Sequence, residues 1–469
     1  MKHLNQIGLL CLLWLLLALL WLCVMVELTT LVSYRNFFTA GELFAWVTAN
    51  KYEVGDIAAY CMHYVLPYWI ICTVVFSVGA WFIWYCIKEG GRKPLLLCAI
   101  LEILLLLPFV ALPLRSNIVR EAVYVRQQVQ NIAHCQNESE TFRYHASKQE
   151  TIAQQEIYVF SIGESVRYKN WSLNETYERQ TTPCLKYKSN LCLYTDYYAN
   201  ATLTQHALPM LFTPVSVDDF QEHFRYKTIA AAFREVGFRT VLVSHRAQLM
   251  NNGYHDYLAQ DFDSVVLVIH DSLIAPSITN IARKEPKLFV VTHYLGNHMF
   301  YTNRPEDCLV WRPDYNADSK AQSDSLFLNA YDNSLLYTDR LLSEAISILD
   351  SMNAICSWLF ISDHGEYISP RVSGHGYTYH PTKNEYYVPL MMWYSNEYEE
   401  TYPEKVANVI KHKGEPVCAD HIFWSVLDMA SMHIDSALQQ EGMSIFCDTL
   451  LPHQRTLLLP DGKSIINLD

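Results

Sequence analysis

Three long apolar stretches lie within the first 114 residues of this 469-residue chain. They cover residues 7–28, 66–87 and 94–114, and each is close to the ~20 residues that a helix needs to cross a bilayer. The first stretch is too long for the apolar core of a signal peptide, and no small-residue cleavage site follows it. We therefore predict a membrane anchor of three helices over residues 1–114.

The loop after the second stretch predicts the orientation of this anchor. The sequence KEGGRKP at 88–94 carries Lys88, Arg92 and Lys93, and positive charge in a short loop marks the cytoplasmic side. With the N-terminus also inside, three spans place the rest of the chain outside the cytoplasm. We expect a polar connector along the membrane surface over 115–155 and a separate folded domain over 156–469.

Beyond residue 155, short apolar segments alternate with helix-like stretches. Six segments are predicted as buried strands of four to nine residues: IYVFSI, RTVLVS, SVVLVI, KLFVVTHYL, SWLFIS and VPLMMW. Helix-like stretches, such as 218–237 and 325–352, lie between them. This alternation predicts an α/β domain with a mainly parallel central sheet covered by helices.

Residues with metal-binding chemistry follow two of the predicted strands. Glu164 comes after YVFSIG, and the pair Asp363 and His364 comes after WLFIS, where an α/β sheet places ligand-binding residues. With the hydroxyl of Thr204 they form an oxygen-rich set that suits Zn²⁺. A metal-bound threonine is natural as an activated nucleophile. The helix predicted to start there would also favour a phosphate, although Thr202 or Thr204 could be only an N-cap.

A second group of histidines lies near the predicted carboxyl edge of the sheet. THYLGNH contains His293 and His298, SGHG contains His375, and YTYH contains His380. These side chains could hold a second zinc ion or donate to phosphate oxygens. A lone histidine is more often a surface or core residue than a ligand. The prediction of a site role therefore rests on the clustering of these four histidines near strand ends.

Charge and cysteine usage narrow the function further. The net charge of −13, without a basic stripe, argues against a nucleic-acid partner. Cys184 and Cys192 bracket a short loop and predict a disulfide in an oxidising compartment, with Cys418 and Cys447 as a weaker pair. No CxxC spacing indicates a structural zinc site.

These motifs resemble the phosphoethanolamine transferases of the alkaline phosphatase and sulfatase superfamily. This group includes lipid A-modifying enzymes and the mobile colistin-resistance enzymes. The segment IGESVRYKNWSLNETYERQTTPCL is similar to the family's GE(S/T)xR and YxRxTTP elements, ATLTQHALP to its nucleophile segment, and FISDHGE to its zinc-binding DHGE. THYLGNH, NAYDNSLLYTD and SGHG match further elements, so the resemblance covers about 156–435.

The resemblance implies a set of site residues and an alkaline phosphatase-like fold. One zinc ion is implied, with the threonine also acting as nucleophile, at the ligands Glu164, Thr204, Asp363 and His364. Three positions tied to phosphate or to a second metal ion are His293, His298 and His375. Two further predicted site residues are His380 and Asn333.

The resemblance also implies a reaction and a location. Phosphoethanolamine would pass from phosphatidylethanolamine to an envelope glycolipid, lipid A or the lipopolysaccharide core, through a phosphoethanolamine-threonine intermediate. Lipid substrates fit a monomeric, multi-pass protein of the bacterial inner membrane whose catalytic domain over 156–469 faces the periplasm. The added amine would weaken binding of cationic peptides such as polymyxin.

Other functions are set apart by particular residues. A sulfatase needs a CxPxR-like context, and none occurs. A glycerol-phosphate transferase of the lipoteichoic acid synthase type shares the threonine chemistry, but the GESxR and TTP elements speak against it. Transfer to another envelope glycan stays open. A non-catalytic membrane scaffold or sensor would be favoured if a core ligand were missing, and all four are present.

Overall fold

The chain forms two compact units, Met1–Val125 and Arg126–Asp469, in the computed structural model of the protein. The structure describes residues 18–19, 21–32, 58, 62, 65–89, 123, 126, 141–148, 152–245, 258–299, 301–318, 321, 323–369, 373–376 and 380–469.

Helix α1, Leu66–Glu89, is the main element described in the first unit, and it covers the predicted stretch 66–87. The predicted stretch 94–114 and most of 7–28 lie outside the described residues, although 21–32 are helical. Within the described part of the chain, no helix is at once long enough and apolar enough to cross a membrane. The three-helix anchor stays a prediction.

The remaining described elements belong to the second unit. Its helices are α2 Thr204–Phe212, α3 Ile229–Glu235, α4 Ile274–Ala282, α5 Leu326–Asp350, α6 Asn396–Thr401, α7 Pro403–His412 and α8 Ile422–Met429. Its strands are β1 Ser147–Lys148, β2 Glu156–Gly163, β3 Leu191–Tyr194, β4 Tyr197–Tyr198, β5 Arg239–Ser244, β6 Ser264–Leu267, β7 Lys287–His293, β8 Ile355–Ser362, β9 Tyr367–Ile368, β10 Ser373–Gly374, β11 Leu390–Tyr394, β12 Val417–Cys418, β13 Met432–His433, β14 Thr456–Leu458 and β15 Ile465–Asn467.

A seven-stranded mixed sheet forms the centre of this unit, in the order β3-β11-β8-β2-β7-β5-β6. The five strands from β8 to β6 are parallel, and β11 runs antiparallel to both of its neighbours. All residues of β2 and β8 are buried, as expected of apolar strands covered on both faces. The mainly parallel sheet is therefore confirmed for five strands, and the reversed strand makes it mixed.

The six predicted strands all occur; RTVLVS coincides with β5, and the other five differ by one to a few residues at their ends. The edge strand β3 was not among the predictions, because it is short and only partly buried. The predicted helical stretch 325–352 is α5. The stretch 218–237 is divided into a 3₁₀ turn, Phe220–Arg225, and α3, since the backbone N–H of Thr228 donates to Asp261 at 2.6 Å instead of continuing a helix.

Part of the predicted connector belongs to the second unit. Strand β1 pairs antiparallel with β13, with Ser147 opposite His433. Tyr144 is fully buried, and its backbone N–H donates to Glu235 Oε1 at 2.9 Å. Residues 141–148 are therefore held by the same core as the strands that follow them.

The predicted disulfides are wrong, since all four cysteines involved are free in the structure: Cys184, Cys192, Cys418 and Cys447. The backbone N–H of Cys184 donates to Asp339 of α5 at 2.7 Å, which fixes this residue beside the helix. Cys192 instead lies on the sheet edge in β3, opposite Met392. The short loop between them therefore leads to two different elements.

Candidate active site

Two adjacent parallel strands place the first acidic residues side by side. Strands β2 and β8 are in register at their carboxyl ends, with Gly163 opposite Ser362, so Glu164 and Asp363 leave the sheet at the same level. A Cβ on Gly163 would lie 2.7 Å from the ring of Phe360, so glycine at this position leaves room for that ring. Ser165 then adopts a left-handed φ of 60°, which turns the chain sharply after Glu164.

The third contribution comes from the start of helix α2. Thr204 is its first residue, preceded by Leu203 in an extended conformation, and it is only 4% exposed. The Thr204 hydroxyl oxygen lies 3.3 Å from Glu164 Oε2 and 3.1 Å from His364 Nε2. The structure thus directs Thr204, rather than Thr202, toward the buried acidic residues.

His364 is the centre of this group. Its Nδ1 donates to the carbonyl of Gly365 at 2.9 Å, so Nε2 is the nitrogen that faces the carboxylates. Nε2 lies 3.3 Å from Glu164 Oε1 and 3.3 Å from Asp363 Oδ2. All three side chains are essentially inaccessible to solvent.

The buried charges perturb one another strongly. Burial, with Glu164 adding to it, raises the pKa of Asp363 to about 6. Burial opposes the charged form of His364, but Asp363 and Glu164 outweigh it and raise the pKa of His364 to about 9. Asp363 Oδ2 contacts His364 Nε2 at 3.3 Å but accepts no hydrogen bond from the described residues. A buried carboxylate oxygen of this kind is costly without a partner, and a bound cation would supply one. The two carboxylates, the imidazole nitrogen and the hydroxyl together suit a divalent ion of the Zn²⁺ type.

Two of the predicted additional histidines adjoin this centre. The ring of His375 stacks on that of His364 with centroids 3.8 Å apart, and its Nδ1 is 3.0 Å from the carbonyl of Thr202. Ligand atoms of Glu164, His364 and His375 lie within 4.8 Å of one another. Burial, together with His364, lowers the pKa of His375 well below its ordinary value, which keeps a neutral, ligand-capable ring. The ring of His298 lies 6.3 Å from that of His375.

The other predicted site residues are placed differently. His293 ends β7 and is buried opposite Ile162 of β2, whereas His380 is exposed. Asn333 is fully buried in α5, and its Oδ1 accepts from the backbone N–H groups of Val310 and Trp311 at 3.0 and 2.9 Å. The Asn333 side chain therefore holds a loop.

Residues that support the ligands were not predicted individually. Ser165 Oγ donates to Glu164 Oε1 at 2.9 Å. The hydroxyl of Tyr331 donates to the carbonyl of Ser165 and accepts from the backbone N–H of Arg167, both at 2.8 Å, which ties α5 to the turn after β2. The signal was present, because these residues lie in the quoted motifs IGESVR and NAYDNSLLYTD.

The loop that carries His375 lies directly against the nucleophile segment. Gly376 has a φ of +67°, and a Cβ there would lie 2.1 Å from Leu203 Cδ2 and 3.0 Å from the carbonyl oxygen of Thr202. Only glycine allows both this backbone conformation and this approach. The second glycine of the SGHG motif therefore has a structural role, in addition to the role of the histidine at the site.

Known proteins share the sequence features of this domain. The sequence profile of the family described as Sulfatase matches residues 156–432. The Kdo(2)-lipid A phosphoethanolamine 7''-transferase of Escherichia coli (strain K12) is 27% identical over 256 residues, which are 52% of this chain and 45% of that protein. Phosphoethanolamine transferase EptA of Helicobacter pylori is 26% identical over 287 residues, 57% of this chain and 52% of that protein. The chain matches about half the length of these curated relatives.

Solved structures share the fold. The integral membrane lipooligosaccharide phosphoethanolamine transferase A (EptA) from Neisseria meningitidis superposes with a TM-score of 0.68 at 17% identity, covering 92% of this chain and 86% of that one. The periplasmic domain of EptC from Escherichia coli, in complex with Zn, gives a TM-score of 0.61 at 18% identity, covering 69% and 95%. The resemblance stated from the motifs is thus confirmed.

Proposed function

This chain belongs to the sulfatase family, and we propose that it transfers phosphoethanolamine from phosphatidylethanolamine to an envelope glycolipid through Thr204. The observation that carries the proposal is the Thr204 hydroxyl, buried 3.1 Å from His364 Nε2 and 3.3 Å from Glu164 Oε2. The names of the sequence relatives supply the transferred group, and one of them names Kdo(2)-lipid A. This supports the acceptor expected from the motifs, lipid A or the lipopolysaccharide core.

Four side chains would hold a zinc ion: Glu164, Thr204, Asp363 and His364. When bound, Zn²⁺ would supply Lewis acidity that lowers the pKa of a coordinated hydroxyl. His375 adjoins this set, so it could serve a second ion or contact a phosphate oxygen. The burial of the carboxylates and the oxygen of Asp363 without a hydrogen-bond partner among the described residues support this assignment.

The transfer would occur in two halves on Thr204. The hydroxyl directs its hydrogen toward Glu164 Oε2, so its proton can leave as Oγ1 attacks phosphorus. A bond from Oγ1 to phosphorus forms, the bond from phosphorus to the diacylglycerol oxygen breaks, and that oxygen takes up a proton. An acceptor hydroxyl then attacks the same phosphorus, and its proton returns to Oγ1. Donor and acceptor thus give diacylglycerol and the modified acceptor.

The first turn of α2 would stabilise the charge that develops on phosphorus. The backbone N–H groups at the start of a helix have no acceptor within the helix, and the helix dipole places partial positive charge there. Because Thr204 is the first residue of α2, a phosphoryl group bonded to it would lie beside these donors.

The proposed setting follows from the predicted anchor and from lipid substrates. We place the protein in the bacterial inner membrane, as a monomer with its second unit in the periplasm. The integral membrane protein that shares its fold supports this placement. Addition of an amine to an anionic glycolipid would reduce binding of cationic peptides such as polymyxin.

Mass spectrometry of the purified protein after incubation with phosphatidylethanolamine tests the proposal. We expect one phosphoethanolamine group on Thr204, absent in Thr204→Ala. Thr202→Ala is the matched control, since the Thr202 hydroxyl has no hydrogen-bond partner among the described residues, and it should keep the adduct. An adduct on Thr202, or none in the wild type, would sink the assignment. A glycerol-phosphate adduct would point to the other donor class.

A further inference from the structure

A second group of metal-binding side chains lies around β12 and the C-terminal segment. Cys418 ends β12, Asp420 follows in a 3₁₀ turn, and His453 precedes β14. Each offers one ligand atom, and these three atoms lie within 4.8 Å of one another. Asp420 Oδ2 and His453 Nε2 are 2.9 Å apart.

The surroundings of this group suit a transition metal. Cys418 and Asp420 are buried, whereas the His453 side chain is 34% exposed, so an ion could enter from the His453 side. His421 Nδ1 lies 3.4 Å from Cys418 Sγ, in the position of a supporting partner for a ligand sulfur. Sulfur, nitrogen and oxygen donors together favour Zn²⁺-type ions over Mg²⁺ or Ca²⁺.

We propose that Cys418, Asp420 and His453 form a second transition-metal site, separate from the centre at Thr204, with three protein ligands for a Zn²⁺-class ion. Binding forms a bond from the ion to Cys418 Sγ and releases the thiol proton to solvent, without redox change. A fourth position remains for water. The site would exist whatever group Thr204 carries.

The position of this site links it to the nucleophile segment. Asp420 uses its other oxygen, Oδ1, to accept from Asn200 Nδ2 at 3.0 Å. The carbonyl of Asn200 accepts from the backbone N–H of Leu458 at 2.8 Å, and Ala201 forms a parallel bridge with the same residue. An ion shared by Asp420 and His453 would therefore fix the hairpin β14–β15 against the segment that leads to Thr204. Its role would be to position that segment.

Cobalt substitution of the full chain distinguishes the two sites. The centre at Thr204 offers only oxygen and nitrogen ligands, so thiolate-to-cobalt charge-transfer absorption can come only from a site with cysteine. We expect the metal-stripped protein, reloaded with Co²⁺ alone, to show this absorption. Cys418→Ser should abolish it and remove one equivalent of bound cobalt, while Asp363→Asn should remove the other equivalent and keep the absorption.

Two further variants complete the experiment. Cys447→Ser should keep the absorption, because the Cys447 thiol contacts the carbonyl of Ser444 at 2.8 Å instead of this cluster. His453→Gln changes a partly exposed side chain and should weaken cobalt binding at this site beyond the ~10–100-fold typical of supporting residues. If Cys418→Ser does not fold, the His453→Gln variant still tests whether the second metal site exists. No thiolate absorption in the wild type, or unchanged absorption in Cys418→Ser or His453→Gln, would overturn the site.

Discussion

The two metal-binding groups use similar side chains but are built by different parts of the fold. Glu164 and Asp363 follow adjacent parallel strands whose register is fixed along their whole length. Cys418, Asp420 and His453 come from a two-residue strand, a 3₁₀ turn and a loop. The first group is positioned by the central sheet, and the second depends on how the C-terminal segment packs. Loss of a ligand from one group should therefore leave metal binding at the other group intact.

The largest effect is expected from Asp363→Asn. Loss of a buried anionic ligand should reduce transfer activity by about 10³-fold or more, since even supporting residues of metal sites cost about 10–100-fold. Steady-state transfer to a glycolipid acceptor measures this loss, with metal content measured in parallel. Activity within tenfold of the wild type would contradict the assignment of Asp363 as a ligand.

Gly376→Ala should have the next largest effect, because it forces a Cβ into Leu203 beside the nucleophile. The positive φ costs about 1–3 kcal/mol, and the overlap adds about 1–3 kcal/mol, so both the melting temperature and the activity should fall. Thermal unfolding and transfer assays measure the two.

Two glycines serve as controls for Gly376→Ala. Gly237 has a φ of +87° with no atom within 4 Å of the added Cβ, so Gly237→Ala isolates the backbone cost. Gly414 has neither feature, so Gly414→Ala should change stability by less than about 0.5 kcal/mol. Equal melting temperatures for all three variants would refute the contact with Leu203.

Asn200→Ala tests whether the two regions are coupled. It removes the donor to Asp420 Oδ1, and a buried acceptor without a partner costs about 1–3 kcal/mol. We expect kcat to fall by about tenfold through the nucleophile segment, with unchanged metal content at the Thr204 centre. Asn467→Ala, on the exposed face of β15, is the control. Wild-type kcat in Asn200→Ala would show that the regions act independently.

The smallest effect concerns a buried acid outside both regions. Burial raises the pKa of Asp339 to about 6, although the backbone N–H groups of Cys184 and Leu185 oppose the shift. The unfolded carboxyl titrates near ~3.9, so between these values the folded state holds a proton that the unfolded state has lost. This contribution to stability therefore falls as pH rises, by about 1 kcal/mol between about pH 4.5 and about pH 5.5. Asp339→Asn should flatten that part of the stability curve, measured by denaturant unfolding; an unchanged slope would refute the shift.

The sequence predicted those features that short segments determine by themselves. Glu164 and Asp363 directly follow buried apolar runs, so their placement at one sheet edge could be inferred because the carboxyl ends of parallel strands share an edge. The direction of β11 could not be inferred, because an apolar run does not reveal which way a strand runs. The edge strand β3 could not be inferred either, because it is short and only partly buried. The local sequence alone did not distinguish Thr204 from Thr202 as the nucleophile. The structure does, because the turn into α2 directs the Thr204 hydroxyl toward the buried acidic residues.

The Cys418 group was not predicted, and cysteine spacing misled. Cys418 and Asp420 are close in sequence, but 34 residues lie between Cys418 and His453. No motif joins His453 to the other two ligands. Only the tertiary packing of the C-terminal hairpin brings them together. The same lack of local information explains why Cys184 and Cys192, close in sequence, lead to different elements.

Because β2 lies at the centre of the sheet, the sheet can be completed only late in the synthesis of the chain. Its two neighbours, β7 and β8, are synthesised much later, with Glu156 paired to Lys287 on one side and to Ile355 on the other. Until both have emerged, each edge of β2 is open to wrong partners, and Thr204 has no His364 beside it. A prematurely terminated chain would therefore carry an inert threonine and exposed strand edges, and it would be a substrate for quality-control proteases rather than a partly active enzyme.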